Sequence, residues 1–315
     1  MTKEFNVTGL CFSDVHYMAD ISKKVDATYK MIEKGDYFII NRPRQYGKTT
    51  MLYTLTEKLI KSNNYVAFNM SFEGIGDAIF DDEATFSTGF VNLLARYATA
   101  YAPELVAWLK ESAPSVTNLN LLGNLISDII SKADKKVVLL IDEVDKSSNN
   151  QLFISFLAML RNKYLDRRTF KTFHSIVLAG VHDVKSLKLK IRSDEEQKYN
   201  SPWNIATTYK VDLSLSPDDI KPMLTDYCAE QKVTMNTEEI AEQLFYFTSG
   251  YPYLVSHLCK IIDEDILPTK NVKEWTKTDV NKAAQIAVKE EGNANFDTLL
   301  KNLKNNENYI NLFFQ

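Results

Sequence analysis

The sequence predicts an α/β protein in which helices cover a parallel β-sheet and a helical domain follows along the chain. Up to about residue 213, short apolar segments alternate with segments of helical periodicity, which is the pattern of a parallel sheet covered on both faces. The clearest strand, Val137–Ile141, contains only apolar residues. From residue 216 to about residue 290, the pattern is that of amphipathic helices alone.

The order of the elements follows from local periodicity and from turn residues. Apolar residues recur at helical spacing over 20–34 and predict a helix that Gly35 ends. A second helix is expected to begin within 47–61, and residues 72–130 are expected to be mostly helical. The predicted strands, five in all, are 37–40, 65–68, 137–141, 176–179 and 209–213.

A domain boundary is predicted near residue 215. Ser216 and Pro217 form a strong helix start, because serine is a favoured cap and proline a favoured first helical residue. We expect an α/β domain with an N-terminal helix over 1–215, a helical domain over 216–290 and a tail over 291–315. The tail ends on apolar residues, and we expect it to dock on the body or to be the start of a truncated domain.

Composition and charge exclude several classes of protein. Of the 315 residues, 45% are hydrophobic and 25% are charged, so the chain can bury a core and is not disordered. A net charge of -4 disfavours a dedicated nucleic-acid binder, because such proteins usually carry a basic surplus. We find neither a signal peptide nor an apolar run of about 20 residues, and the cysteines lack metal-ligand spacing. We expect a soluble, cytoplasmic protein without a membrane partner.

The segment 41–50 (NRPRQYGKTT) has the composition and the position of a phosphate-binding loop. It follows the strand predicted at 37–40 and opens a predicted helix, whose first backbone N–H groups attract phosphate oxygens. The Lys48 ammonium is expected at the terminal phosphates of a nucleotide, and the Thr49 hydroxyl on a magnesium ion. The expected nucleotide-binding residues of the loop are Arg44, Gln45, Tyr46, Gly47, Lys48, Thr49 and Thr50.

The loop departs from the usual pattern G-x-x-x-x-G-K-[ST] at its first position. Arg42 stands where the pattern has glycine, and Pro43 stiffens the backbone that follows. We therefore expect the loop to begin in a different backbone shape. The charge of Arg42 or of Arg44 is a candidate for an additional contact with the phosphates.

Asp142 and Glu143 directly follow the apolar strand 137–141. Because ligands bind at the carboxyl ends of parallel strands, we expect both carboxylates near the phosphate loop. Asp142 would hold magnesium opposite Thr49, and Glu143 would orient or deprotonate the water that attacks the γ-phosphate. Asp145 is expected to cap the next turn.

These elements resemble P-loop NTPases of the additional-strand, catalytic-glutamate class, and more specifically the bacterial AAA-ATPase-like proteins related to the STAND (signal-transduction ATPase) group. The resemblance covers roughly residues 7–260. It is carried by VTGLCF (7–12), HYMAD (16–20), NRPRQYGKTT (41–50), IDEVD (141–145), NSPWNI (200–205) and the Gly-x-Pro segment GYP (250–252). The missing first glycine of the loop is also similar to the family's own pattern.

The resemblance implies a sheet in which the strand ending at Asp142 lies beside the strand before the loop, with a helical lid over the nucleotide. It also implies contacts outside the loop. His182 is a candidate sensor of the γ-phosphate or an exposed loop histidine, and Tyr17 lines the adenine pocket or packs in the core. Pro252 starts a helix that points at the β-phosphate, or is an ordinary helix start. Some relatives continue into a PD-(D/E)XK nuclease-like domain, of which no sequence is visible here.

Together the motifs and the resemblance predict a protein that binds and hydrolyses ATP with Mg²⁺. Glu143 and Lys48 are the expected catalytic residues, and Thr49 and Asp142 the expected metal ligands. Because a lid and a core would both contact the nucleotide, we expect a nucleotide-controlled regulatory switch with a protein partner or self-association. Two alternatives stay open: a nucleic-acid-associated ATPase motor or loader, and an ATP-binding scaffold with little hydrolysis.

Overall fold

The computed structural model describes residues 2–144, 151–181, 203 and 205–289. The predictions for Asp145, His182 and the tail 291–315 fall outside these residues. The chain divides into two compact units. The core unit comprises Ile21–Pro43 and Gly47–Leu213, and the helical unit comprises Met1–Asp20, Arg44–Tyr46 and Ser214–Gln315.

A parallel sheet forms the centre of the core unit. The strands that the structure describes are β1 (Tyr37–Asn41), β2 (Tyr65–Ser71), β3 (Lys136–Asp142) and β4 (Ser175–Gly180). They lie in the order β1-β4-β3-β2, and every neighbouring pair is parallel. Most of their residues are buried, as expected of a parallel sheet that is covered on both faces. The predicted α/β fold class is thereby confirmed.

Helices accompany this sheet, and those before β3 lie where the periodicity of the sequence predicts them. Within the described residues of the core unit they are α1 (Ser22–Glu33), α2 (Lys48–Lys61), α3 (Glu83–Tyr101), α4 (Pro103–Ser112), α5 (Leu119–Lys132) and α6 (Gln151–Leu165). Phe68, Met70 and Leu139, on one face of the sheet, pack in a cluster with apolar side chains of α3, α5 and α6. Alternate strand residues point to the opposite face, and α2 packs against β2 and β3.

The neighbour order of the strands differs from the one that the resemblance implies. Leu178 of β4 pairs with Ile39 of β1 on one side and with Ile141 of β3 on the other. The prediction that the strand ending at Asp142 lies beside the loop strand is therefore wrong, because β4 lies between them. All six residues of β4 are buried, which suits a strand in the interior of a parallel sheet.

The fifth strand predicted at 209–213 is not a strand. In this part of the described chain the backbone makes one parallel bridge, between Thr207 and Phe38, and no ladder continues from it. Tyr209 instead stacks on Phe38 with ring centroids 5.6 Å apart, and its hydroxyl lies 3.0 Å from Thr28 Oγ1. Side-chain contacts therefore secure the segment that apolar spacing alone assigns to the sheet.

The described part of the helical unit after Ser214 contains four α-helices, together with a π-helical turn at Ile262–Ile266 and a 3-10 turn at Leu267–Thr269. The α-helices are α7 (Pro217–Gln231), α8 (Thr237–Thr248), α9 (Pro252–Ile261) and α10 (Lys277–Lys289). Ser216 caps α7 in a capping box with Asp219, so the helix start predicted there is confirmed. None of the helices in the described residues of either unit is long and apolar enough to cross a membrane.

An aromatic cluster holds the N-terminal segment within the helical unit. Phe5 packs against Tyr17, Tyr227 and Trp275, with ring centroids 4.9, 5.0 and 5.9 Å away. All four rings are buried. The Tyr17 hydroxyl accepts a hydrogen bond from Gln231 Nε2 at 3.0 Å. Tyr17 therefore packs in the core of this unit, which is one of the two roles that the sequence suggests for it.

The turn between α8 and α9 requires glycine at position 250. Gly250 has a φ of +73°, and its carbonyl oxygen accepts a hydrogen bond from the Leu215 N–H at 2.7 Å. A Cβ atom at this position would lie 2.2 Å from the Leu215 carbonyl oxygen. Both the left-handed backbone and the close approach therefore exclude a side chain.

We expect Gly250→Ala to lower the free energy of unfolding by about 2–4 kcal/mol, since it combines a strained φ with steric overlap. Gly9→Ala is the matched control in the same unit, because Gly9 has a φ of +66° but no neighbouring atom within 4 Å of a Cβ. The control should lose only about 1–2 kcal/mol, the cost of the left-handed backbone. Urea denaturation of both variants measures the difference, and equal losses would contradict the overlap at Leu215.

Candidate functional site

The loop between β1 and α2 ends in a backbone turn that opens the helix. Gly47 adopts a left-handed conformation with φ of +75°, which glycine tolerates without strain, and it occupies the N-cap position of α2. The first i to i−4 hydrogen bond of α2 runs from the Met51 N–H to the Gly47 carbonyl at 2.9 Å. In general the N–H groups before that point have no acceptor within the helix, and they attract anions.

Lys48 is the first residue of α2 and is buried, with only 5% of its surface exposed. Its ammonium donates hydrogen bonds to the carbonyl oxygens of Arg42 at 3.0 Å and Pro43 at 2.8 Å. Two uncharged carbonyl oxygens at the start of the loop therefore accept hydrogen bonds from the lysine. A buried ammonium needs such partners because desolvation strongly disfavours its charge.

Asp142, the last residue of β3, contacts the helix that follows the loop. Thr49 donates its hydroxyl proton to Asp142 Oδ2 at 2.6 Å, and the backbone N–H of Glu143 donates to Asp142 Oδ1 at 2.9 Å. Both carboxylate oxygens thus have a donor. The structure brings together Lys48, Thr49, Asp142 and Glu143, four of the residues that the sequence singles out, within the core unit.

Burial raises the pKa of the Asp142 carboxyl above its ordinary value. Hydrogen bonds from Thr49 and from the Glu143 backbone lower it, as does the charge of Lys48, whereas the charge of Glu73 raises it further. Desolvation dominates because the residue is only 4% exposed. A bound cation would favour the ionised form, so the group is suited to a metal ligand.

Glu143 occupies a backbone conformation that is unusual for a glutamate. Its φ is +56°, in the left-handed region, and it directly follows the end of β3. A residue other than glycine costs roughly 1–2 kcal/mol in this region. Strain of this kind is often located at functional sites, where the surrounding structure determines it.

The oxygen atoms at Thr49 and Asp142 fit a magnesium ion. Mg²⁺ prefers hard oxygen ligands at about 2.0–2.1 Å and is usually bound by one or two carboxylates together with substrate phosphates. A hydroxyl and a carboxylate whose oxygens already lie 2.6 Å apart supply such ligands. No cluster of three or more His, Cys, Asp or Glu side chains suited to a metal occurs among the described residues.

Three loop residues, Arg44, Gln45 and Tyr46, belong to the helical unit. Gln45 has a φ of +55°. The Arg44 carbonyl accepts a hydrogen bond from the hydroxyl of Tyr251, and the Tyr46 ring packs edge-to-face on Tyr251 with centroids 5.0 Å apart. Pro252, in the same unit, is the first residue of α9. Within the helical unit, Arg44 and Tyr46 thus have a backbone and an aromatic contact that the sequence motif does not predict.

The remaining candidate residues are Thr50, His182 and Arg42. Thr50 lies in the first turn of α2, and His182 lies outside the described residues. The guanidinium of Arg42, a candidate for a phosphate contact, donates to the carbonyl oxygens of Asn41 at 2.8 Å and Val211 at 3.0 Å. In the sequence, the only sign that Arg42 makes such contacts is the departure from glycine at the first loop position.

Comparisons with known proteins identify the fold. A family model described as an AAA-like domain matches residues 12–281, which is most of the chain. The fold is similar to that of the Walker-type ATPase paby2304 of Pyrococcus abyssi, with a TM-score of 0.62 and 13% identity, covering 96% of this chain and 79% of that one. A search of curated proteins finds no match.

The fold is also similar to that of the ORC2 protein of Aeropyrum pernix in its ADPNP-ADP complexes. The TM-score is 0.53 at 11% identity, and the match covers 84% of this chain and 67% of that one. At these identities the likeness concerns the fold alone. The parallel sheet with its flanking helices is accordingly of the P-loop ATPase type.

Thr49→Val removes the hydroxyl but keeps the shape of the side chain, so a buried oxygen of Asp142 loses its donor. We expect the free energy of unfolding without nucleotide to fall by about 1–3 kcal/mol, as measured by urea denaturation. Thr49→Ser keeps the hydroxyl and should retain most of the stability. Equal losses in the two variants would show that the hydrogen bond to Asp142 is not the stabilising contact.

Proposed function

The chain belongs to the AAA-like domain family, and on this premise we propose that it binds ATP together with Mg²⁺ and hydrolyses it. The observation that carries the proposal is the 2.6 Å contact between Thr49 Oγ1 and Asp142 Oδ2, which joins α2 to the acidic end of β3. Two similarly folded proteins support a nucleotide ligand, since one is described as a Walker-type ATPase and the other as ADPNP-ADP complexes.

Thr49 and Asp142 would hold the metal ion. When bound, Mg²⁺ offsets negative charge on the β- and γ-phosphates. The Thr49 hydroxyl would exchange its contact with Asp142 for a metal ligand position, and Asp142 would bind directly or through water. The burial that raises the pKa of Asp142 also makes a nearby cation favourable, because the carboxylate is then no longer desolvated without a counter-charge.

Lys48 would bind the terminal phosphates with its ammonium. The residue begins α2, so its backbone N–H and its side chain lie at the end of the helix that attracts anions. Without nucleotide the ammonium is held by the carbonyl oxygens of Arg42 and Pro43, and it would exchange at least one of these contacts for the phosphates.

Glu143 would position the attacking water and accept its proton. The hydrogen bond from its N–H to Asp142 fixes the backbone of Glu143 beside the proposed metal ligand. Its left-handed φ directs the chain away from the line of β3 at this point. A general base of this kind contributes roughly a hundredfold to ten-thousandfold to the rate.

The helical segment 216–290 would act as a lid whose arrangement depends on the nucleotide, as in the proteins that the sequence resembles. Replacing ATP by ADP removes the γ-phosphate and its contacts, and this difference in binding free energy can shift a conformational equilibrium. We therefore assign the protein a switch function that acts on a protein partner or on a second copy of the chain.

Glu143→Gln should lower the rate of phosphate release by about a hundredfold or more, because an amide cannot accept the proton of the attacking water. Its affinity for ADP should change little, since Glu143 is not assigned to hold the nucleotide. Phosphate release and calorimetric titration with ADP measure the two quantities. An unchanged rate would contradict hydrolysis through Glu143 and favour a nucleotide-binding scaffold.

Glu73→Gln is the matched control, because Glu73 is an exposed carboxylate whose charge also acts on Asp142. An exposed charge has a small effect, so its rate should stay within about fivefold of the wild-type rate. A loss as large as that of Glu143→Gln would mean that negative charge near Asp142, and not a specific base, determines the rate.

Limited proteolysis tests the switch. With ATP and Mg²⁺, the Glu143→Gln variant should give a cleavage pattern over 216–290 that differs from its pattern with ADP. The slow hydrolysis of this variant keeps the triphosphate intact during the measurement. Identical patterns with the two nucleotides, at concentrations that saturate binding, would contradict a nucleotide-controlled switch.

A further inference from the structure

Arg42 is anchored to the core unit by its backbone and by its side chain. Its N–H donates to the Gly180 carbonyl of β4 at 3.1 Å, and its own carbonyl accepts from the Lys48 ammonium at 3.0 Å. Its guanidinium donates from Nη1 to the Asn41 carbonyl at 2.8 Å and from Nη2 to the Val211 carbonyl at 3.0 Å. One residue therefore connects the central sheet, the proposed phosphate-binding lysine and the segment that contains Val211.

That segment, residues 205–213, is hereafter called the linker, because it leads directly to Ser214, where the helical unit resumes. At its beginning, the Thr207 N–H donates to the Tyr37 carbonyl at 2.8 Å. In its middle, the Tyr209 ring stacks on Phe38. Near its end, Val211 accepts the hydrogen bond from Arg42, with only Asp212 and Leu213 before Ser214.

The linker runs beside β1 without forming a ladder with it. A cavity of about 190 Å³ is lined by Ile39, Asn41, Arg42 and the linker residues 206–209. A continuous ladder would hold the linker by many backbone hydrogen bonds. A side-chain hydrogen bond can be made or broken by a small displacement of the loop, so the contact at Val211 is sensitive to the loop's position.

Arginine has the geometry for this role and glycine does not. A guanidinium presents five N–H donors in a rigid plane, so it can donate to two carbonyl oxygens at once while remaining charged. Hydrogen bonds from a charged donor are roughly twice as strong as those between neutral groups. The glycine of the usual loop pattern would leave the Val211 carbonyl without this donor.

We propose that Arg42 is a positioning residue that clamps the linker to the first turn of the phosphate loop. Through this clamp, a change in the loop on nucleotide binding is transmitted to the linker. The transmission rests on the proposed function, whereas the clamp does not. A nucleotide that draws the Lys48 ammonium from the Arg42 carbonyl changes the loop turn that carries the guanidinium. The linker then loses or changes its contact at Val211.

Hydrogen–deuterium exchange of the full chain tests the clamp without any nucleotide. In Arg42→Gly, exchange of the Thr207 N–H, which donates to the Tyr37 carbonyl, should be faster by about tenfold or more, because the linker opens more readily without the hydrogen bond from a charged donor at Val211. Peptides from β3 and β4 should keep their protection, which shows that the variant is folded. Arg42→Lys should restore part of the protection, because one of the two carbonyls can still be reached.

Arg44→Ala is the matched control for charge. It removes a positive charge from the same loop, yet it should leave exchange of the linker unchanged, because the linker's hydrogen bond comes from Arg42. An equal increase in both variants would show that loop charge and not the clamp controls the linker. Unchanged linker exchange in Arg42→Gly would overturn the proposal.

Titration with ADP and Mg²⁺ tests the transmission. In the wild type, saturating ADP should change exchange of the linker, and in Arg42→Gly this response should disappear while calorimetry still detects binding. Loss of ADP affinity by about a hundredfold in Arg42→Gly with normal linker exchange would instead assign Arg42 to the phosphates and overturn the proposal. If the wild type binds no nucleotide, the proposed function and the transmission both fail. The hydrogen–deuterium exchange measured without nucleotide still shows whether Arg42 clamps the linker.

Discussion

The candidate site depends on keeping the Asp142 carboxylate available to a cation although it is buried at the end of an apolar strand. Desolvation disfavours its ionised form and raises its pKa. The groups that oppose this effect come from separate places in the chain: a hydroxyl and an ammonium at the start of α2, and the backbone N–H of Glu143. Because two of these groups lie at the start of α2, their contacts with the carboxylate constrain how α2 lies against β3.

The same constraint explains the unusual backbone around the site. Gly47 and Glu143 both have positive φ values, of +75° and +56°, and each stands where an element begins or ends. The first lets α2 begin with Lys48 directed back to the loop carbonyls. The second turns the chain immediately after Asp142. A rigid sheet on one side and a helix on the other support these two turns, of which only the one at Glu143 is strained, and this makes the geometry of the polar groups well defined.

Much of the fold and of the site could be predicted from local patterns. The strands up to β4 and the helices before β3 and after Ser216 lie close to where apolar runs and helical spacing place them, because both periodicities follow from backbone geometry. Lys48, Thr49, Asp142 and Glu143 could be singled out because a phosphate loop and an acidic strand end have recognisable residues. Local patterns wrongly predicted a strand at 209–213. Contact of the Tyr209 ring with Phe38, and not a ladder of backbone hydrogen bonds, holds this segment.

The sequence by itself determined most of the elements and which chemical groups are available, since these depend on residues that are neighbours along the chain. Only the tertiary structure decided that β4 lies between β1 and β3, because strand order depends on the burial of whole strands. Only it decided that the Arg42 guanidinium meets the Val211 carbonyl, a partner 169 positions away. Contacts of that separation arise from packing, and no local periodicity encodes them.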